Sequence, residues 1–262
     1  MAGDNGFAPI RRRDWALFLD VDGTLLEIAR HPDAVHVSQR LRLALLAASA
    51  RESGALALVS GRGLADLDRL FEPHRFPAAG LHGLERRDAF GRLSRPSVEP
   101  AELDGVRARL ARVASASAAV FIEDKGCTLA VHYRQAMHLE SDIVAVVQAA
   151  AADLHPRFHV QTGKCVLEIK PVACSKGAAI EAFMDEPPFR GRLPVFVGDD
   201  DTDEDGFAAV NARGGLSVHV GYHGPTAAHW RFTDSNLVIR WLGAPHQPLG
   251  RPISAEENAV RD

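Results

Sequence analysis

Short apolar segments alternate with longer segments of helical period over much of the chain. Three strand-and-helix pairs show this pattern: 16–19 with 37–50, 55–59 with 64–71, and 194–197 with 203–212. Each short segment is almost entirely apolar, which is typical of a strand that is covered on both faces. The alternation therefore predicts an α/β core in which helices wrap a doubly wound, Rossmann-like parallel sheet.

The middle of the chain has a different pattern, in which pairs of strands follow single helices. The predicted order is a helix at 103–114, a strand pair at 119–123 and 128–133, a helix at 141–154, and a strand pair at 158–162 and 165–169. This order predicts an α+β unit with an antiparallel sheet. We expect an inserted cap domain at residues 100–171 between two parts of the core, residues 1–99 and 172–262, with hinges near Pro100 and Pro171.

Polar side chains gather directly after the predicted core strands. They are Asp20 and Asp22 after the first strand, Ser60 and Arg62 after the second, and Asp199, Asp200 and Asp203 after a late one. Ligands of open parallel sheets bind outside the carboxyl ends of the strands. We therefore expect these side chains to meet in one crevice.

Composition and charge indicate which classes of partner the protein binds and in which compartment it is expected. The 262 residues carry a formal net charge of −4, and the basic triplet 11–13 is too short to follow a nucleic-acid backbone. The apolar run 15–19 is too short for a signal-peptide core or a membrane span. The three cysteines form no CxxC pair and are odd in number, which indicates neither a zinc site nor a disulfide framework. We expect a cytoplasmic protein that binds neither nucleic acid nor membrane.

The segment Asp20-Val21-Asp22-Gly23-Thr24 places two carboxylates where a buried strand opens into a glycine turn. Buried charge at such a point needs a cation or hydrogen-bond donors to stabilise it. An Asx-type turn that caps the next helix would also explain both aspartates. A calcium loop would need further oxygen ligands where Leu25 and Leu26 stand. The motif alone therefore leaves its chemistry open.

A second acidic segment follows a late strand, with six acids in the seven positions 199–205. A solvated loop would explain the charge, but not its position directly behind a buried strand. Two acidic clusters at strand ends are suited to share a hard, oxygen-binding ion, and Mg²⁺ is the expected cofactor.

Four features together resemble the haloacid dehalogenase superfamily of phosphotransferases. They are the DxDGT turn, Ser60 after a strand, Lys176 at the start of a helix, and the late GDDxTDE segment. The resemblance covers nearly the whole chain. It implies that Asp20 is a nucleophile that forms an aspartyl-phosphate intermediate, and that Asp22 is the general acid and base.

The same resemblance implies how Mg²⁺ would be bound in the core. The ligands would be Asp20, the main-chain carbonyl of Asp22, and Asp199, with Asp200 or Asp203 acting through waters. The ion would neutralise repulsion between the phosphate and the carboxylates.

The resemblance also implies phosphate-binding groups. Ser60 would hold phosphate oxygens, Thr24 is expected to contact the substrate, and Lys176 would pair with both the phosphate and Asp20. Taken alone, Lys176 is better explained as a solvated lysine at a helix start, so its role rests mostly on the resemblance. The role of Arg62 is left open.

Longer motifs are similar to those of the trehalose-6-phosphate phosphatases, in which the cap binds the second glucose. They are GDDDTDEDGF at 198–207, GLHGLE at 80–85, and the cap segments IEDKG, HYR and GKCVLE. The resemblance implies trehalose 6-phosphate as the substrate and functional coupling to a trehalose-phosphate synthase. By the same match, the expected substrate-binding residues outside the core strands are His82, Glu123, Lys125, Arg134, Lys164 and Glu168.

Other interpretations stay open from the residues themselves. Charge pattern alone favours ordinary surface pairs for the cap residues, and a histidine between glycines is often a structural hydrogen-bonding group. A different capped sugar phosphatase, acting on sucrose phosphate or a hexose phosphate, would keep the same core motifs. A non-catalytic protein that binds a sugar phosphate is a further alternative, although the intact Asp20, Asp22 and Asp199 count against it.

Overall fold

The computed structural model describes residues 14–27, 36–95, 99–124, 126–163, 165–172, 174–221, 224–243 and 251–253. The chain divides into two compact units. The first, called the core below, comprises Met1–Ser94 and Ser175–Asp262, and the second, called the cap, comprises Arg95–Cys174. Within the described ranges, every helix is too short or too polar to cross a membrane.

The strands and helices of the described residues are as follows. The strands are β1 (Trp15–Leu19), β2 (Leu56–Val59), β3 (Ala78–Gly80), β4 (Glu85–Arg87), β5 (Leu93–Ser94), β6 (Phe121–Asp124), β7 (Leu129–His132), β8 (Phe158–Gly163), β9 (Val166–Pro171), β10 (Leu193–Gly198), β11 (Leu216–Val220), β12 (Trp230–Phe232) and β13 (Arg251–Pro252). The helices are α1 (Gln39–Arg51), α2 (Leu64–Phe71), α3 (Asp104–Ala116), α4 (Glu140–Ala151), α5 (Lys176–Met184), α6 (Glu204–Ala212) and α7 (Ser235–Gly243).

The core is built on one sheet with the strand order β13-β12-β11-β10-β1-β2-β3-β4-β5. Strands β12 to β3 in this order are parallel, and the outer strands β13, β4 and β5 are antiparallel to their neighbours. The predicted α/β class with a parallel-sheet core is therefore confirmed.

Side-chain alternation explains why β1 is apolar throughout. Its odd-numbered residues Trp15, Leu17 and Leu19 belong to one hydrophobic cluster, whereas Ala16 and Phe18 belong to a second cluster on the other face. Because apolar layers cover both faces of the sheet, no position of this strand is left for a polar residue. The first polar side chain is that of Asp20, directly after the strand.

The cap has an antiparallel sheet in the order β6-β7-β9-β8. Apolar side chains of this sheet and of helices α3 and α4 form a separate hydrophobic cluster, with Leu129, Val131, Leu167 and Ile169 on the covered face. Alternation places the residues between them on the opposite face, which is called the open face of the cap sheet below.

Candidate active site

The polar residues of the core meet where the strand order changes direction. The chain leaves β1 toward β2 and β3 on one side of the sheet, and it continues from β10 to β11 and β12 on the other side. Asp20 follows β1 and Asp199 follows β10, and the two strands are parallel neighbours. Such a switch point opens a crevice at the carboxyl ends of the strands.

Three buried carboxylates and one lysine occupy this crevice. Asp20, Asp199 and Asp203 each offer an oxygen, and these oxygens lie within 4.8 Å of one another. Lys176 Nζ donates to Asp20 Oδ1 at 2.8 Å and to Asp203 Oδ1 at 2.6 Å. Lys176 is the first residue of α5, which the Ser175 hydroxyl caps by accepting from the Ala178 amide at 3.1 Å. The capped helix start therefore sets the lysine beside two acids.

Two glycines allow the acidic segments to approach this closely. Gly23 has a φ of +88°, and a Cβ there would lie 1.9 Å from an oxygen of Asp199. A Cβ on Gly198 would lie 2.3 Å from the carboxyl carbon of Asp203. A side chain at either position would displace a carboxylate, so the glycines of the DxDG and GDD motifs are spatial requirements of the cluster.

Asp203 holds the backbone of the second acidic segment in place. Its Oδ2 accepts from the Asp199 amide at 2.9 Å and from the Asp200 amide at 3.1 Å, and its side chain is fully buried. Asp200 is more exposed, and its Oδ1 accepts from the amide and hydroxyl of Thr202. The Thr24 hydroxyl, also buried, donates to Asp199 Oδ1 at 3.1 Å and so orients that carboxylate.

The cluster holds more negative charge than its lysine neutralises. Burial raises the pKa of Asp20 to about 7, against the opposing effect of Lys176. Burial, with Asp203 and Asp200 nearby, raises the pKa of Asp199 to about 7. Burial disfavours the charged form of Lys176, but Asp20 and Asp203 outweigh it and hold the lysine pKa well above its usual value. Oxygen donors with excess negative charge fit a hard divalent cation.

Asp22 has a different partner from the other acids. Arg62 Nε donates to Asp22 Oδ2 at 2.6 Å and Arg62 Nη2 donates to Asp22 Oδ1 at 2.7 Å. The side chain of Asp22 is 39% exposed, whereas that of Asp20 is 5% exposed. The two aspartates of the DxD motif thus have separate environments, one buried beside a lysine and one at the surface of the crevice beside an arginine.

The loop after β2 carries Ser60 and is held in shape by residues of other segments. Ser60 is buried and its hydroxyl oxygen accepts from the Arg62 amide at 3.1 Å. Gly63 has no side chain to cap α2, and Glu85 Oε1 accepts from the Leu64 amide at 2.5 Å in its place. The buried Glu85 of the GLHGLE segment therefore stabilises this loop.

His82 lies against the same loop. A Cβ on Gly61 would be 2.7 Å from His82 Nε2, so the ring packs directly on the glycine. Leu81 and His82 both have positive φ, 49° and 55°, which is uncommon for residues other than glycine. Strained backbone of this kind clusters at ligand sites, and its position beside Ser60 agrees with that tendency.

In the cap, register brings two of the expected sugar-binding residues onto one row. Glu123 pairs with Ala130, Ala130 pairs with Glu168, and Glu168 pairs with Gln161, across all four strands. Both glutamates therefore lie on the open face, separated by a small alanine. His132 Nε2 lies 3.1 Å from Glu123 Oε2. Gln161 belongs to this row, and His132 lies on the same face two residues along β7 from Ala130. Only the strand register, which the sequence did not specify, reveals both residues.

The remaining expected residues of the cap are less defined. Arg134 is exposed at the start of a short 3-10 helix, after Tyr133, whose hydroxyl donates to Glu140 at 2.7 Å. Lys125 and Lys164 lie outside the described residues. The sequence left the pair of Arg62 with Asp22 as one of several possibilities and did not predict the helix-capping role of Glu85, because both contacts join residues from different strand ends.

The chain is similar to known proteins over most of its length. The family model described as trehalose-phosphatase matches residues 18–235. A trehalose-6-phosphate phosphatase of Escherichia coli is 45% identical over 228 residues, which are 87% of this chain and 85% of that protein. A probable trehalose-phosphate phosphatase of Sinorhizobium fredii is 46% identical over 208 residues, which are 79% and 78% of the two chains.

A solved structure is similar in fold. The C-terminal domain of the Candida albicans trehalose-6-phosphate phosphatase has a TM-score of 0.76 to this chain at 21% identity, and the match covers 92% of this chain and 98% of that one. The family model spans most of the core and the whole cap, including both acidic segments and Lys176. The chain belongs to the trehalose-phosphatase family.

Proposed function

We propose that the protein is a Mg²⁺-dependent phosphomonoester hydrolase that converts trehalose 6-phosphate to trehalose and phosphate. The observation that carries the proposal is the buried cluster of Asp20, Asp199 and Asp203 around Lys176, at the switch point of the sheet. Membership of the trehalose-phosphatase family supports the choice of substrate.

The carboxylates Asp20 and Asp199 would hold Mg²⁺, with the main-chain carbonyl of Asp22 and with Asp200 or Asp203 acting through waters. The ion would offset the repulsion between the substrate phosphate and these acids. The raised pKa of both Asp20 and Asp199, each about 7, supports this choice because a bound cation would replace the protons that stabilise them.

In the first step, Asp20 attacks phosphorus. Lys176 is bonded to Asp20 Oδ1, so the attack would come from Oδ2. The new bond joins Oδ2 to phosphorus, the bond from phosphorus to the sugar oxygen breaks, and Asp22 gives that oxygen a proton. Ser60 and Lys176 donate to the phosphoryl oxygens, where negative charge accumulates.

In the second step, a water molecule attacks the aspartyl-phosphate. Asp22, now a carboxylate, takes the proton from the water, and the bond between phosphorus and Asp20 breaks to release phosphate. Asp22 is the more exposed of the two aspartates, which supports its role in proton transfer to the sugar oxygen and from the incoming water. The division of roles follows the difference between the two environments.

Sugar recognition is assigned to the open face of the cap sheet. Carboxylates accept from sugar hydroxyls, and Glu123 and Glu168 lie on the same row of this face. Arg134, Lys125 and Lys164 would donate to hydroxyl oxygens, and Thr24 and His82 of the core would complete the substrate-binding set.

A trehalose-phosphate synthase would supply the substrate. The cysteines Cys127, Cys165 and Cys174 form no disulfide, which agrees with a reducing cytoplasm.

The test is phosphate release from a panel of sugar phosphates, with Mg²⁺ and with a chelator. We expect metal-dependent release that strongly favours trehalose 6-phosphate over glucose 6-phosphate and sucrose 6-phosphate. Equal phosphate release from several sugar phosphates would support phosphatase activity but contradict the assignment of sugar recognition to the cap. Binding of sugar phosphate without any release would instead support a regulatory protein.

A further inference from the structure

The side chain of Arg62 connects the phosphate-binding loop to the acid of the reaction. Its backbone is fixed by two hydrogen bonds: the amide donates to Ser60 Oγ at 3.1 Å, and the carbonyl accepts from the Leu81 amide at 2.9 Å. From this fixed point the guanidinium reaches Asp22 and binds both of its carboxylate oxygens. The pair joins the loop after β2 to the turn after β1.

This pair cannot persist through the first chemical step. Asp22 must give a proton to the departing sugar oxygen, but both of its oxygens accept from guanidinium N–H groups. Two charge-assisted hydrogen bonds hold the carboxylate and fix its direction. A proton on either oxygen weakens its bond to the guanidinium, so the pair has to loosen when Asp22 acts as the acid.

An incoming phosphoryl group is a natural competitor for the same guanidinium. It carries two negative charges and presents oxygens that match the arginine fork. Lys176, the other cation of the site, is buried between Asp20 and Asp203. The Arg62 side chain is 16% exposed and its carboxylate partner is 39% exposed, so this pair is the more accessible of the two.

We propose that Arg62 is a phosphate-binding residue that exchanges Asp22 for the phosphoryl oxygens of a bound substrate. Phosphate bound at Ser60 draws the guanidinium to its own oxygens, and Asp22 is released to act as the acid. The inference rests on the proposed function of the core, but not on the identity of the sugar. It predicts that Arg62 contributes equally to the hydrolysis of every phosphate monoester, whereas Asp22 contributes most to the hydrolysis of those whose leaving group needs a proton.

Two substrates separate these contributions. Trehalose 6-phosphate has a poor leaving group, whereas dinitrophenyl phosphate has one that departs without protonation. We expect Arg62→Met to lower kcat/KM by about 100-fold for both substrates, the typical cost of one donor to transition-state charge. Inhibition by inorganic phosphate should weaken in parallel. Arg62→Lys keeps the charge without the fork, so it should recover part of each loss.

Two further variants make the comparison specific. Asp22→Asn should lower kcat/KM for trehalose 6-phosphate far more than for dinitrophenyl phosphate. Arg86→Met removes a similar forked pair, between Arg86 and Glu186, outside the site, and should leave kcat/KM unchanged for both substrates. Thermal unfolding of each variant shows whether the arginine variants lose similar stability.

Two results would overturn the inference. If Arg62→Met lowers kcat/KM only for the hydrolysis of trehalose 6-phosphate and leaves inhibition by phosphate unchanged, Arg62 acts through Asp22 alone. If neither substrate is affected, the pair has no part in the reaction. Because dinitrophenyl phosphate reports on the core, a failure to hydrolyse trehalose 6-phosphate would count against the proposed substrate and not against Arg62.

Discussion

The core crevice and the open face of the cap sheet hold their polar groups in contrasting ways. In the crevice, Asp20, Asp203 and Lys176 are almost fully buried and bonded to one another. On the cap, the side chains of Glu123 and His132 are 44% and 41% exposed, and Glu123 Oε2 lies 3.1 Å from His132 Nε2. The crevice is fixed by contacts among buried charges, whereas the cap sheet presents Glu123 and His132 to solvent and keeps Glu168 buried beside them.

From this difference we infer that the crevice carries out the reaction and that the cap sheet selects the substrate. Nucleophilic attack needs an aspartate that is held in one position, and burying the charges around it costs free energy. The carboxylates can lie this close together because Gly23 and Gly198 have no side chains. Recognition of a sugar needs donors and acceptors that solvent can reach. Exchange of exposed cap residues would therefore change the substrate without changing the mechanism.

The largest expected effect comes from the nucleophile. Asp20→Asn should lower kcat by on the order of 10⁵-fold or more with every substrate, as removal of a covalent nucleophile does in other enzymes. The fold should persist because asparagine has the same size and its amide oxygen can still accept from Lys176. Asp201→Asn is the matched control, since Asp201 is exposed in the same acidic segment. Substantial activity in Asp20→Asn would remove Asp20 as the nucleophile.

Loss of the buried lysine should affect both stability and rate. Lys176→Met leaves Asp20 and Asp203 without their cation, and breaking a buried pair in this way costs about 3–5 kcal/mol of unfolding free energy. Turnover should fall by about 10³-fold, since a donor to the phosphoryl group is lost as well. Urea unfolding with and without Mg²⁺ measures the first effect, and added Mg²⁺ should restore part of it. Unchanged stability would mean that the carboxylates do not depend on Lys176.

The cap should respond to substitution in a substrate-dependent way. Glu168→Gln and Glu123→Gln should each lower kcat/KM for trehalose 6-phosphate by about 10- to 100-fold, because a charge-assisted hydrogen bond to a hydroxyl is lost. Hydrolysis of dinitrophenyl phosphate should be unchanged. Asp124→Asn is the control, since Asp124 is bonded to Arg107 and the Gly126 amide. Equal losses with both substrates would contradict a role in sugar selection.

The smallest expected effect is a pH dependence of the metal-free protein. Asp20 and Asp199 keep protons up to about pH 7 in the folded state, whereas the unfolded chain loses them near the ordinary value of 3.8. Stability contributed by these groups is therefore present at low pH and is lost as the pH rises from about 4 to about 7. Added Mg²⁺ should raise Tm more at about pH 8 than at about pH 5, since it then displaces no protons.

Thermal scans over this range test the sign of the effect. Asp20→Asn should flatten the dependence, because one of the carboxyl groups with a raised pKa is removed. A Tm of the metal-free protein that rises across the same window would contradict the excess charge assigned to the crevice.

Much of the core could be predicted from the sequence because its strands are apolar on both faces. The helix expected at 37–50 is α1 at Gln39–Arg51, and its start is shifted because the Ser38 hydroxyl caps it. The hairpin of β4 and β5 was not predicted, since β4 has the sequence ERR and lacks any apolar residue. This strand lies between β3 and the edge strand β5, away from the apolar centre of the sheet.

The site was predictable where a motif is short and contiguous. Asp20 was identified in this way, whereas Lys176 was assigned through the family resemblance, and their contact agrees with the expected pairing. The bonds of Arg62 to Asp22 and of Glu85 to α2 depend on how separate strand ends meet, which periodicity does not encode. The roles of Lys125 and Lys164 stay predictions from the family resemblance.

The most direct test of the account is a rapid-quench experiment on Asp22→Asn with dinitrophenyl phosphate and Mg²⁺. This leaving group needs no acid, so Asp20 should still be phosphorylated, but without a base the intermediate should hydrolyse slowly. We predict a burst of dinitrophenolate that matches the number of active sites, with the phosphoryl group found on the peptide that contains Asp20. A burst with the phosphoryl group on another residue, or the absence of any burst or phosphoryl-enzyme, would contradict the mechanism.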